Sequence, residues 1–186
     1  MKKLTLILAL VLTLTSLCSC GANSSAEKAA MAAVDAVFED CDYEDLEKVF
    51  IKCNEDVLKE HLDEEDFEEY EDSLDENKDM YEKIVKSMEE EFEEAKDEDV
   101  KLDVSYEVVA SDVYDKKDDG FDSLIGSFTF KDTDMEDYID EAARVSILMI
   151  VKSKDDDGNK RSEADILEFR CYKIDGDWYI DNFPAL

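Results

Sequence analysis

Five cysteines and one histidine are the residues of this 186-residue chain whose chemistry could go beyond packing and solvation. Two of them, Cys18 and Cys20, stand one residue apart in Leu17-Cys18-Ser19-Cys20-Gly21. That spacing suggests redox exchange or a shared metal, but the pair sits where an apolar run ends, with no further Cys or His beside it. Cys41, Cys53 and Cys171 lack zinc-site spacing, and His61 alone cannot complete one. Cys41 and Cys53 flank a short helix and could pair in an oxidising exterior. Burial as free thiols is the favoured expectation, because Cys171 would have no mate. His61 falls on the apolar stripe of a predicted helix among acids and is expected to be half-buried. Neither a glycine-rich phosphate loop nor a nucleophilic triad can be assembled. Two stretches, "DKKDDG" and "KSKDDDG", suggest calcium loops until the register is counted. With Gly120 or Gly158 at the sixth position, Gly126 or Ala164 falls where a bidentate Glu is required. Both read as solvated turns, so the sequence implies no catalytic residue, no metal site and no cofactor.

The surroundings of Cys18 and Cys20 assign them a different role. Lys2 and Lys3 precede an apolar run from Leu4 to Leu14, interrupted only by Thr5 and Thr13. The run is shorter than the ~20 residues of a spanning helix and leads into small residues, which is a secretory signal pattern. At its end Leu17-Cys18-Ser19-Cys20 resembles the bacterial lipobox, with Leu three residues before a Cys and small residues between. The resemblance implies cleavage between Ser19 and Cys20, a diacylglycerol on Cys20, and a protein held at the outer face of the cell membrane. Cys18 departs from the commoner Ala, Ser or Thr, is small enough for the peptidase, and leaves with the signal. Two acyl chains, at ~0.8 kcal/mol per buried methylene, give stable anchoring where one chain does not. The alternative is an ordinary signal peptide cut at another small residue, with Cys20 free or disulfide-bonded. On the lipobox reading, residues 1–19 are signal peptide, 20–26 a lipidated tether, and 27–186 a single domain.

That domain is strongly acidic. The chain has 53 Asp and Glu against 21 Lys and Arg, a formal charge of −32, and loss of Lys2 and Lys3 with the signal makes it −34. Such a field repels phosphate backbones, so nucleic acid is excluded as a partner class. Between Glu55 and Asp99 lie 23 acids and 5 lysines. This stretch could be a cation or basic-partner surface, but the favoured reading is the wet face of helices whose other face is apolar.

Apolar periodicity predicts helices over 26–41 (Met31, Val34, Phe38, Cys41), after an Asp42 N-cap (Leu46, Phe50, Cys53), and after an Asn54 N-cap (Val57, Leu58, His61, Leu62). After a polar break, Tyr81, Ile84, Val85, Met88 and Phe92 predict another. From Val100 the period becomes two: Val100, Leu102, Val104, Tyr106 and Val108 alternate with polar residues, which predicts a half-buried strand. A charged loop, an apolar piece (Leu124, Ile125, Phe128, Phe130) and an acidic helix over Met135 to Ala142 should follow. Residues 144–152, "RVSILMIVK", are apolar on both faces and predict a central strand. A third strand runs from Ile166 to Ile174, Asp175-Gly176 suits a tight hairpin, and "DWYIDNF" is the last strand.

Helices, then a long alternating strand and an antiparallel meander closing on "KIDGDWYID", resemble the nuclear-transport-factor-2-like, or cystatin-like, α+β superfamily. The likeness is to small Gram-positive lipoproteins that carry such a domain behind a lipobox. It implies N-terminal helices on a curved, mainly antiparallel four-stranded sheet, with residues 27–99 as the acidic helical part and 100–186 as the sheet. It also implies a conical pocket, for which Tyr106, Ile147, Met149, Phe169 and Trp178 are the inward candidates, packed core being the favoured reading of each. The expected function is a membrane-anchored, non-catalytic module that binds a small ligand, a peptide or an envelope protein. The alternative is a pocket enzyme of isomerase or dehydratase type using an Asp or Tyr acid-base group.

Overall fold

A computed structural model describes residues 25–98, 100–154 and 159–184. The signal, Ser19, Cys18, Cys20 and the "DDDG" turn at 155–158 lie outside the described residues. Ser25 opens the fold by accepting a hydrogen bond from the Lys28 N–H at 3.3 Å, the N-cap of α1 (Ala26–Phe38). Ala26 is already helical and buried, so the domain begins inside the expected tether. Periodicity predicts a helix running to Cys41, but α1 stops at Phe38. There the Asp42 N–H reaches back to the Ala36 carbonyl at 2.8 Å, with Cys41 in the left-handed region at φ 49°.

The two predicted caps both form. Asp42 accepts from the Glu44 N–H and starts α2 (Tyr43–Val49), and Asn54 accepts from the Val57 N–H and starts α3 (Glu55–His61). Asp63 caps the helix that follows, α4 (Glu64–Asp97). Instead of breaking before Tyr81, α4 runs for 34 residues. Its inner stripe is Phe67, Tyr70, Leu74, Tyr81, Val85 and Met88, all within or against the two cores. The polar gap in that stripe is bonded rather than broken. The Asn77 side chain donates to the Tyr70 hydroxyl at 2.8 Å, and the Lys78 ammonium sits 2.9 Å from Glu55 and 3.2 Å from Glu47.

Four antiparallel strands follow, β1 (Lys101–Asp115), β2 (Ile139–Lys154), β3 (Lys160–Ile174) and β4 (Asp177–Ile180), ordered β1-β2-β3-β4. The fold is therefore α+β with a four-stranded antiparallel sheet. As expected, "RVSILMIVK" lies in a central strand, and Asp175 and Gly176, at φ 49° and 93°, make a two-residue hairpin turn. β1 is bulged between Val108 and Ala110, and its outer edge is unpaired among the described residues. At the opposite edge Phe50 and Ile51 bridge to Ile180. Between β1 and β2 stand α5 (Asp119–Ile125) and a 3₁₀ turn (Asp134–Tyr138). The predicted helix from Met135 to Ala142 is thus replaced by that turn and the start of β2. Ala142 and Ala143 pair with Tyr172 and Cys171, and this pairing overrides the helical propensity of alanine.

Each face of the sheet has its own core. One face lies under α1 and buries Ala143, Val145, Ile147, Leu167, Phe169, Cys171, Trp178 and Ile180. The other, at the hairpin end, carries Ala142, Tyr172 and Ile174 against Phe121, Leu124, Phe128, Phe130 and Met135, with Leu58 and Leu74 reaching in from α3 and α4. The Tyr172 hydroxyl donates to the Leu124 carbonyl at 2.7 Å, and a Cβ at Gly120 would overlap the Tyr114 ring. Among the described residues Cys41, Cys53 and Cys171 are free thiols, with Cys53 and Cys171 buried.

The acids occupy the outside, as the amphipathic pattern requires: of the 34 residues of α4, only Leu74 and Val85 are buried. Leu74→Ala should cost about 2–4 kcal/mol in urea unfolding, while Met80→Ala, 45% exposed, should change stability little. Like-charge repulsion predicts a melting temperature that rises with added NaCl. The direction with pH follows from four carboxyls, Asp35, Asp40, Asp66 and Asp181, held above their ordinary range by burial first and mostly by neighbouring acids next. The folded state binds these protons more tightly than the unfolded chain, so these groups add stability as pH falls from neutrality into their raised range. Glu55 opposes this at the acid end. Hydrogen bonds from Lys59 and Lys78 hold it down to about 2, and its contribution disappears as pH drops from about 4.5 towards that value. Melting temperature measured against pH should therefore pass through a maximum on the acid side of neutrality, before loss of the Glu55 contribution dominates.

Candidate functional site

All five residues expected to line a pocket share the sheet face beneath α1. Ile147 and Phe169 are fully buried, Trp178 is 4% exposed, and Met149 packs on the same cluster, half-buried. Register explains the grouping, since Ile147 pairs with Leu167 and Val145 with Phe169, so these side chains point to one side. The space a pocket would occupy is filled by α1, whose Ala29, Ala30 and Ala33 are completely buried and small enough to lie close on the sheet.

Tyr106 is the fifth, and the polar one. Its hydroxyl meets Asp35, and it lies 2.7 Å from Glu39, both at the end of α1. Burial, then hydrogen bonding to these carboxylates, drives its pKa up, and Asp35 is raised chiefly by burial. An acid-base group so engaged acts as a strut between α1 and β1. Tyr106→Phe should cost about 1–2 kcal/mol and steepen the salt dependence of the melting temperature, because Asp35 and Glu39 then face one another without a shared donor.

A second buried polar group was not anticipated. Asp181 follows β4, is completely buried, and lies 3.5 Å from the Arg170 guanidinium. Burial raises its pKa against the opposing pull of Thr129, Lys52 and Arg170. The Asp181 N–H donates to the Arg170 carbonyl at 3.0 Å, and Asn182 bonds the flanking β3 backbone at Arg170 and Glu168. The arrangement pins the chain after β4 to β3. A shallow depression on the outer side of α4, lined by Glu76, Asp79, Met80, Lys83, Ile84 and Ser87, is drawn from that helix alone.

The surface with binding character is the half of the outer sheet face that α5 leaves open. Leu148 pairs with Ile166, and Ile150 lies two residues along β2 opposite Ala164. Ile166 is 55% exposed, Leu148 and Ile150 are half-buried, and Val109 in the β1 bulge is 49% exposed. Register places Lys101, Arg144, Lys152, Lys154, Lys160 and Arg170 on the same face, with Asp103, Glu107, Asp112 and Glu168 among them. In a chain of charge −32 this is a concentration of cations around an apolar centre. Sequence reasoning read the two-sided apolarity of "RVSILMIVK" as burial on both faces. The signal that could have revealed the exposure is the opposing strand, where Lys160 to Glu163 are polar throughout and Ile166 is isolated. Comparison with protein-family models, curated proteins and solved structures gives no match to this chain.

Proposed function

We propose that the chain is an extracytoplasmic lipoprotein, anchored through a diacylglycerol on Cys20, whose domain is a non-catalytic interaction module of cystatin-like architecture. The element order, helices followed by a four-stranded antiparallel meander, supports the architecture. The observation that carries the binding role is the open cationic and apolar half of the outer sheet face around Leu148, Ile150 and Ile166. An open sheet surface suits a peptide or protein segment better than an enclosed small molecule, and its charge selects a partner with apolar residues flanked by acids. The pocket candidates support the non-catalytic reading, being packed under α1 with their one acid-base group already engaged.

Anchoring and binding are compatible in geometry. Ser25 lies five residues after Cys20, a reach of at most ~18 Å at full extension. α1 begins beside Cys171, whose thiol donates to the Ala26 carbonyl at 3.7 Å, and ends beside Tyr106. Leu148, Ile150 and Ile166 flank the Tyr106–Met149 pair, so the open face lies towards the end of the sheet away from the anchor.

Growth with a labelled lipid precursor should label the wild type and leave Cys20→Ala unlabelled; label retained by the variant removes the lipobox from consideration. For the binding face, a photo-crosslinking residue at Ile166 should give one discrete adduct in intact cells, with none from the same residue at Lys83 on α4. Equal patterns at the two positions count against the sheet face. Ile166→Glu should abolish the adduct formed from a neighbouring crosslinker at Glu168 while leaving the fold within about 0.5 kcal/mol, because the side chain is exposed.

A further inference from the structure

His61, the sole histidine, ends α3 with its side chain 5% exposed. Its Nδ1 is buried without a hydrogen-bond partner. Its Nε2 faces Asp175 in the β3–β4 turn, with the carboxylate oxygen at 3.7 Å. That is longer than a hydrogen bond, yet close to the ~3.4 Å that separates two ligands of one tetrahedral ion bound at ~2.1 Å. Glu60 completes a group whose ligand atoms all lie within 4.8 Å of one another. Both carboxylates are on exposed side chains that can close the remaining distance, while the imidazole is fixed by burial and by the Tyr138 ring, 4.7 Å away between centroids. A buried ring with neither nitrogen hydrogen-bonded, turned towards two carboxylates, fits a ligand better than a packing residue.

We propose that Glu60, His61 and Asp175 bind one zinc ion. Imidazole nitrogen with two carboxylate oxygens is a borderline donor set that favours zinc over calcium or magnesium, which take oxygen alone. Ligation uses His61 Nε2 and leaves the other coordination positions to water. The ion joins the end of α3 to the β3–β4 hairpin, fastening the helical layer to the sheet, and offsets two of the charges that repel one another there. The spacing of Cys and His along the chain cannot reveal this group, because Asp175 comes from a turn far along the chain from α3.

The test is calorimetric titration of the full domain with zinc chloride, paired with the absorption spectrum after cobalt(II) substitution. Zinc should bind at one equivalent, at least tenfold more tightly than magnesium or calcium, and cobalt should give the visible bands of a low-coordinate nitrogen and oxygen site. Asp175→Asn keeps a residue that tolerates positive φ, and Glu60→Gln changes an exposed side chain, so both variants should fold. Each should weaken zinc at least tenfold, and together they should abolish the cobalt bands, as should His61→Gln if it melts as the wild type does. Binding at several equivalents with no preference for zinc, or a cobalt spectrum unchanged in the Glu60→Gln/Asp175→Asn variant, would reduce the group to part of the counterion cloud and overturn the assignment.

Discussion

Everything in this fold is arranged around a helix with few large side chains. α1 buries Ala26, Ala29, Ala30, Ala33, Val34, Ala36, Val37 and Phe38, and meets α2, α4 and all four strands. Alanine at the contact allows a close approach of helix to sheet, so the bulk that fills the core comes from the strands: Phe169, Trp178, Ile147 and Ile180. A larger residue at Ala29 or Ala33 would lift the helix off the sheet and separate α4 from β1 behind it.

The charge of the chain is compatible with this core because it is segregated. Acids project from the outer face of α4, from α2 and α3, and from the loops, while Arg144, Lys152, Lys154, Lys160 and Arg170 lie along β2 and β3 with acids of β1 and β3 beside them. Where a charge is drawn inward it is answered locally: Lys78 between Glu47 and Glu55, Lys173 against Glu141 at 2.6 Å, Arg170 beside Asp181. Such pairs organise the packing more than they stabilise it, since those nearer the surface are screened.

Most of the fold was legible where one local rule sufficed. The change of period at Val100 marked the helix-to-sheet boundary, Asp42 and Asn54 marked helix starts, and Asp175-Gly176 marked the hairpin, because capping and positive φ depend on nearby atoms alone. The misreadings arose where distant residues decide. The polar gap at Asn77 and Lys78 looks like a break until Tyr70, Glu47 and Glu55 satisfy it. Ala142 looks helical until Tyr172 pairs with it. The candidate sites were least legible. The five pocket candidates lie on one sheet face, and that a helix packs over them is a property of α1. Neither the meeting of His61 with Asp175 nor the exposure of Ile166 is encoded in any local spacing.

The edge of β1 that is unpaired among the described residues has a consequence for handling the protein. Its 15 residues form a long strand edge, with Leu102, Val108, Val109 and Val113 exposed along it. The edge is guarded by Asp103, Glu107, Asp112 and Asp115 together with the bulge at Val108 to Ala110, and by the negative field of the whole chain. Protonation relieves repulsion within the monomer and, in the same step, removes the repulsion between monomers, with the isoelectric point at about 4.1. Folding stability and colloidal stability therefore have separate pH optima, and near the acidic one the best-folded molecules are also those most open to edge-to-edge association.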